Sequence, residues 1–318
     1  MIVRAPKPPP DAAPVAGAKR RRAEDGFILV AVLWILGGLS VLAAVYAVYV
    51  VNTAASVSVN NDRLQADASI SAALELTSYY LGAVKKDERP GSGQFSFHVG
   101  SANVGVNFIS EAARIDLNTA PKPLLAGLFR VLGAADDAAD VYADRIVGWR
   151  TPATSVSQNL DLDSGVNKEL TAYRNGGVKY DPRQAPFMNV QELWLVLGLP
   201  PALVERALRF VTIYSGSATV DVMDAAPDVI AALPGMTPDR LDAVLKQRAA
   251  TPNDSRPVLQ LLGSAQSNAT ATGSSATRIT VRVALANGRR VNAEAVILLL
   301  DDAPDPYRVL SWTDDFDG

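Results

Sequence analysis

Residues 20–51 read RRRAEDGFILVAVLWILGGLSVLAAVYAVYVV, and the rest of the chain is organised by how this stretch is read. A basic cluster, Lys19 to Arg22, precedes Glu24, Asp25 and Gly26. An uncharged apolar run then extends from Phe27 to Val51. As a helix at ~1.5 Å per residue, that run is long enough to cross a ~30 Å hydrocarbon core with some tilt. The bias of Lys and Arg places the N-terminus in the cytoplasm and everything after Val51 beyond the membrane. A secretory signal peptide has a shorter apolar core and a small-residue cleavage site after it. Here Ala43 and Ala44 are followed by more apolar residues. A plain signal anchor is one reading of such a segment.

Composition narrows the function classes. Nearly half of the residues are apolar, so a sizeable core forms even after the membrane run is subtracted. The net charge of -3 points away from nucleic acid or anionic lipid as the main partner of the body. The absence of cysteine excludes disulfides, thiolate metal sites and a thiol nucleophile. The single histidine, His98, alternates with Phe95, Phe97 and Val99, which makes it an exposed strand residue rather than a catalytic one. No nucleophile, base and orienter cluster in sequence, so no enzyme activity is expected.

Outward from the membrane run, residues 1–18 are rich in Pro and Ala and carry no core-forming pattern. A helix is expected from residue 52 to about residue 86, with Leu64, Ala68, Ala72, Leu76 and Tyr80 as its apolar stripe. Pro90-Gly91-Ser92-Gly93 marks its end. Phe95, Phe97 and Val99, then Val104, Val106 and Phe108, alternate with polar residues about Gly100-Ser101, which predicts a hairpin. The matching strands lie at the far end of the chain. There Ile279 to Leu285 and Val291 to Ile297 alternate around Asn287-Gly288, a type I′ turn signal. A last short strand includes Tyr307 and Val309. The sheet is therefore expected in two halves, with residues 114–263 inserted between them and 264–277 as a flexible linker back.

The insert contains an internal repeat. Ala113-Arg-Ile-Asp-Leu-Asn-Thr-Ala-Pro121 is echoed by Ala218-Thr-Val-Asp-Val-Met-Asp-Ala-Ala-Pro227. Each is followed by a helical run, a short break and a second helix that ends in Arg150 or Arg248. A looser third unit starts at Asn189, which with Glu192 forms a capping box. Such helix pairs stack and bury their apolar stripes together. They resemble the helix-hairpin-helix unit, in which a Gly-x-Gly hairpin brings backbone N–H groups to phosphate. That resemblance raises the alternative of a membrane-anchored DNA-binding protein. However, Pro234-Gly235-Met236-Thr237-Pro238 lacks the second glycine, its neighbours Asp239, Arg240 and Asp242 give no net positive patch, and the first unit's loop, Gly133 to Asp137, would repel phosphate. No nucleic acid is therefore expected as a partner.

The leader resembles that of type IV pilin-like precursors: a charged segment ending in Gly, then Phe, then an unbroken apolar helix. In that class a prepilin peptidase cuts on the cytoplasmic side, here between Gly26 and Phe27, and the new terminus is N-methylated. Most members carry Glu at the fifth mature position; here it is Ala31, similar to the type II secretion minor pseudopilin K family. Ile115-Asp-Leu-Asn-Thr-Ala-Pro121, Asn189-Val-Gln-Glu-Leu193, Val220 to Pro227 with the following LPGM, and Tyr307-Arg-Val-Leu-Ser-Trp312 are similar to further segments of that family.

The resemblance implies an α+β fold: a pilin-like N-terminal transmembrane/amphipathic helix on an antiparallel sheet, with a large inserted all-α, helix-hairpin-helix-like domain. It divides the chain into a cleaved cytoplasmic leader (1–26), a transmembrane helix (27–51), a first pilin-like part (52–113), the insert (114–263), the linker (264–277) and the closing strands (278–318). It implies a single-pass inner-membrane protein with a periplasmic body at the tip of the pseudopilus. Its partners would be minor pseudopilins I and J, the prepilin peptidase and the inner-membrane assembly platform. Family members bind calcium through loop carboxylates, and here Asp161, Asp163 and Glu169 are the candidates. The chain departs from the family pattern nearby, with Thr151 where an Asp follows the Trp-x pair.

Overall fold

The computed structural model describes residues 21–86, 88–152, 166–301 and 303–315. The chain divides into two units, one up to Asp62 and one from Arg63 onward.

The first unit is the leading part of helix α1 (Arg21–Gly82). Its segment Phe27–Thr53 is long and apolar enough to cross a membrane, and none of it is buried against protein. Exposed side chains such as Phe27, Trp34 and Tyr46 suit a hydrocarbon surround and would be unfavourable in water.

The second unit starts with the remainder of α1, followed by β1 (Ser92–Val99), β2 (Ala102–Ser110) and β3 (Ile115–Asp116). Then come α2 (Lys122–Val131), α3 (Asp136–Arg150), α4 (Val166–Asn175), α5 (Pro201–Ala207) and β4 (Val211–Thr212). β5 (Val220–Asp221), α6 (Pro227–Ala231), α7 (Pro238–Ala250), α8 (Arg256–Leu261) and β6 (Ala269–Thr270) follow. The chain closes with β7 (Ala276–Ala284), β8 (Arg290–Leu299) and β9 (Tyr307–Asp315).

One antiparallel sheet has the order β1-β2-β7-β8-β9. Its two sequence halves meet where β2 pairs β7, from Asn103 opposite Ala284 to Ser110 opposite Thr277. The insert therefore leaves and re-enters at neighbouring residues. It replaces a hairpin connection, and both its ends are pinned by the same ladder. The alternation read from the sequence holds: Val104, Val106, Phe108, Ile279, Val281, Val283, Val291 and Ala295 all face one core.

The helix side of that core differs from the expected stripe. Ala66, Ser69, Ile70, Ala73, Leu74, Thr77, Ser78 and Leu81 are buried, whereas Leu64, Leu76 and Tyr80 are exposed. A strict four-residue repeat winds off any one helix face, because the helix has ~3.6 residues per turn. Alternating steps of three and four stay on it. The face includes three hydroxyl residues that satisfy themselves locally; Thr77 Oγ1, for example, donates to the Ala73 carbonyl at 2.7 Å.

Two further expectations are corrected. At Asn287-Gly288 only Gly288 has positive φ (+86°), and the Leu285 N–H donates to the Arg289 carbonyl. This is a three-residue connection with Gly in the left-handed position, not a two-residue type I′ turn. The stretch 264–277 is not a featureless linker. It holds most of a 3-10 turn (Gly263–Asn268), the strand β6 paired with β5, and the start of β7.

The insert has its own core, formed by Leu124, Leu125, Leu128, Phe129, Ile146, Trp149, Tyr173, Leu193, Val204, Ile230 and Val244 among others. Two short parallel strand pairs brace it, β3 with β4 and β5 with β6.

Candidate functional site

The repeat seen in the sequence is a repeat of structure. In the first unit Asp116 closes a turn, its Oδ1 accepting the Asn118 N–H at 2.8 Å. In the second, Asp221 Oδ1 accepts the Met223 N–H at 3.0 Å. A proline helix start follows each turn, Pro121 before α2 and Pro227 within α6. The turn after each helix contains a glycine with positive φ, Gly133 (+90°) or Gly235 (+78°), and a longer helix returns. The last turn of that second helix carries the arginine that fastens the unit. Arg150 donates to the carbonyls of Leu117 and Ala120, and Arg248 to those of Val222 and Ala225.

The two units touch closely. A Cβ on Gly127 of α2 would fall 2.0 Å from the Ala232 carbonyl oxygen, so only glycine allows this approach. The looser third unit is a 3-10 turn, Val190–Leu195, capped by Asn189, whose side chain accepts the Gln191 N–H. Glu192 reaches back to the Met188 N–H rather than to Asn189, so the expected capping box is displaced by one residue. Its other oxygen accepts from Trp149 Nε1 at 3.1 Å.

The insert is joined to the sheet by charge as well as by chain. Glu111, fully buried just after β2, accepts from Arg278 of β7 at 2.7 Å and from the Thr212 hydroxyl of β4. Arg278 also pairs with Glu294 of β8. Arg114, alongside, has its pKa lowered by burial and by the charge of Arg278. A second contact lies at the start of β1, where Ser92 Oγ donates to Asp224 and Gly91 lies against the same carboxylate. Asp221, beside it, is pushed up to about 6 by burial and by the Asp224 charge, although the Met223 N–H opposes the shift. Neither connection was anticipated from the sequence. A single acid after a strand carries no local signal that its partners lie 101 and 167 positions away.

Gly26 and Phe27, the processing pair, lie within α1, and Phe27 is exposed. Of the calcium candidates, Asp161 and Asp163 lie outside the described residues. Glu169 is nearly buried on α4, and its Oε2 is bound to Arg145 Nη1 at 2.9 Å. Among the described residues no group of three or more His, Asp or Glu could hold a metal ion. His98 lies exposed on β1 opposite Asn103. At the second hairpin the Gly235 carbonyl is taken by Arg240. Asp136 and Asp140 hold Arg130 near the first.

Residues 105–216, from β2 through β4, match the family model for type II secretion system (T2SS) protein K. Among solved structures, the chain is similar to one in the crystal structure of the GspK–GspI–GspJ complex from the enterotoxigenic Escherichia coli type 2 secretion system. That match has a TM-score of 0.57 and 16% sequence identity, and it covers 83% of this chain and 99% of the other. A comparison with curated proteins finds no match. The family-model match bears out the resemblance to protein K of type II secretion over residues 105–216, and the structural match shows the same fold. Among the described residues one helix, near the N-terminus, is long and apolar enough to cross a membrane, which is compatible with a single-pass anchor.

Proposed function

We propose that the chain is a structural minor pseudopilin at the tip of a type II secretion pseudopilus. It starts or caps the filament with minor pseudopilins I and J and supports export of folded proteins across the outer membrane. The observation that carries this reading is the insert itself. A two-repeat helical body is grafted between adjacent residues of a pilin-like sheet, at Ser110 and Thr277, and locked there by Glu111 and Arg278. A body of that bulk on one subunit would block the stacking of another pilin-like subunit and is unsuited to the repeating shaft. Ala31 supports the same position, since a subunit with none above it has no neighbouring amino terminus to pair.

In this reading a prepilin peptidase cuts between Gly26 and Phe27, and the apolar helix stays as an inner-membrane anchor. The N-terminus faces the cytoplasm and the body lies in the periplasm. Assembly would start from the inner-membrane platform. The test is co-purification of the full chain in detergent with the cognate minor pseudopilins I and J. The expected result is one stable complex that contains all three. A membrane-inserted chain that binds neither partner would overturn the proposal.

A further inference from the structure

The outer face of the five-stranded sheet, opposite its core side, has a groove of about 360 Å³ across β1, β2 and β7. Its lining includes Gln94, Ser96, Gly105, Asn107 and Arg282. The register explains their convergence. Ser96 lies opposite Gly105, Gly105 opposite Arg282, and Gln94 opposite Asn107. In a pleated sheet these positions share one face. Gly105 is the floor: without a side chain it leaves a depression in an otherwise filled row. A Cβ there would meet nothing nearer than the Arg282 carbonyl, at 4.0 Å.

Arg282 is exposed and makes no hydrogen bond or ion pair among the described residues. The other β7 arginine on this face, Arg278, is saturated by Glu111 and Glu294. No acid lines the groove. Glu294 on the neighbouring strand is committed to Arg278, and Asp315 lies beyond Asn292, two strands from Arg282. Phe95 and Val106 also border the groove, but its polar side chains are the Ser96 hydroxyl and the Gln94 and Asn107 amides, and a guanidinium beside them is arranged to take a carboxylate, with two parallel N–H donors for its two oxygens. One such cation falls short of the ~4–8 clustered Lys and Arg that mark an anionic membrane surface. It also falls short of the several phosphate contacts that nucleic acid demands.

We propose that this groove receives an Asp or Glu side chain from a neighbouring minor pseudopilin subunit, with Arg282 as its anchor. The inference rests on the tip-subunit reading and adds a docking surface to it. The test compares the full-length wild-type chain with Arg282→Glu and Gly105→Asn for affinity toward the cognate I–J pair in detergent. Gly105→Asn fills the floor without backbone strain. We expect each variant to bind at least tenfold more weakly at an unchanged melting temperature, and wild-type binding to weaken as salt is raised. Wild-type affinity in both variants would overturn the groove assignment alone. No binding by the wild-type chain would sink the tip-subunit reading and this inference with it. Phosphatidylglycerol vesicles captured by wild type but not by Arg282→Glu, with I–J binding equal in both, would assign the groove to lipid and also overturn it.

Discussion

Arg248 holds in the second repeat the place that Arg150 holds in the first. Each guanidinium sits at the end of its unit's second helix and ties down the turn before the first. The geometry differs in one respect. Arg150 uses Nη1 for Leu117 and Nη2 for Ala120, whereas Arg248 uses Nη1 alone for Val222 and Ala225. Replacing either arginine by Met strands two carbonyls and should cost about 2–6 kcal/mol, at ~1–3 kcal/mol per stranded group. A single lysine nitrogen can stand in for one nitrogen but not for a two-nitrogen fork. Arg248→Lys should therefore retain much of the stability that Arg150→Lys loses, as read by urea unfolding.

Removing Arg278 leaves Glu111 charged in a fully buried position. Breaking one partner of such a pair costs about 3–5 kcal/mol. Arg278→Met should therefore destabilise far more than the double variant Arg278→Met/Glu111→Leu, in which both charges are gone. Equal losses in the single and double variants would show that the pair does not hold insert and sheet together.

Asp221 sets a pH dependence of known sign. Its folded-state pKa, pushed up to about 6, exceeds the ordinary value of 3.8. Between those values the folded chain holds a proton that the unfolded chain has lost. Stability from this group is therefore full below about pH 4 and is lost as pH rises through about 6, by an amount on the order of 2–3 kcal/mol. Asp221→Asn keeps an acceptor for the Met223 N–H and removes the titration. The variant should flatten the stability profile between pH 4 and 6, as measured by thermal melts against wild type.

Ile70 and Leu76 are both apolar residues of α1, but only Ile70 is buried. Ile70→Ala should cost about 2–5 kcal/mol. Leu76→Ala should stay within about 0.5 kcal/mol. This contrast also shows what the sequence could and could not supply. Helix existence was legible, because a long apolar run and its continuation need no partner to be seen. The face was not, because Ser69, Thr77 and Ser78 lie in it and carry no hydrophobic signal. The strands were legible where Val104, Val106 and Phe108, or Ile279, Val281 and Val283, alternate against one core.

The repeat was legible through Asp116 and Asp221, down to the arginines that end its units, since local turns leave local signatures. The role of those arginines, the Gly127 contact and the Glu111 cluster were not. Each depends on groups brought together by tertiary packing across a long loop of chain. The segment 264–277 was misread because Ser, Ala and Thr in a row suggest a linker. Its backbone is nonetheless engaged through β6, which pairs with β5, and through the Ser274 N–H, which donates to Ser110 Oγ at 2.8 Å.

The most direct measurement is mass spectrometry of the mature N-terminus from membranes that contain an active secretion system, with and without Gly26→Ala. The pseudopilin account predicts a chain that begins at Phe27, N-methylated, and an uncut leader in the variant. An intact leader on a membrane-inserted, functional wild-type chain would contradict it and leave a plain signal-anchored repeat protein.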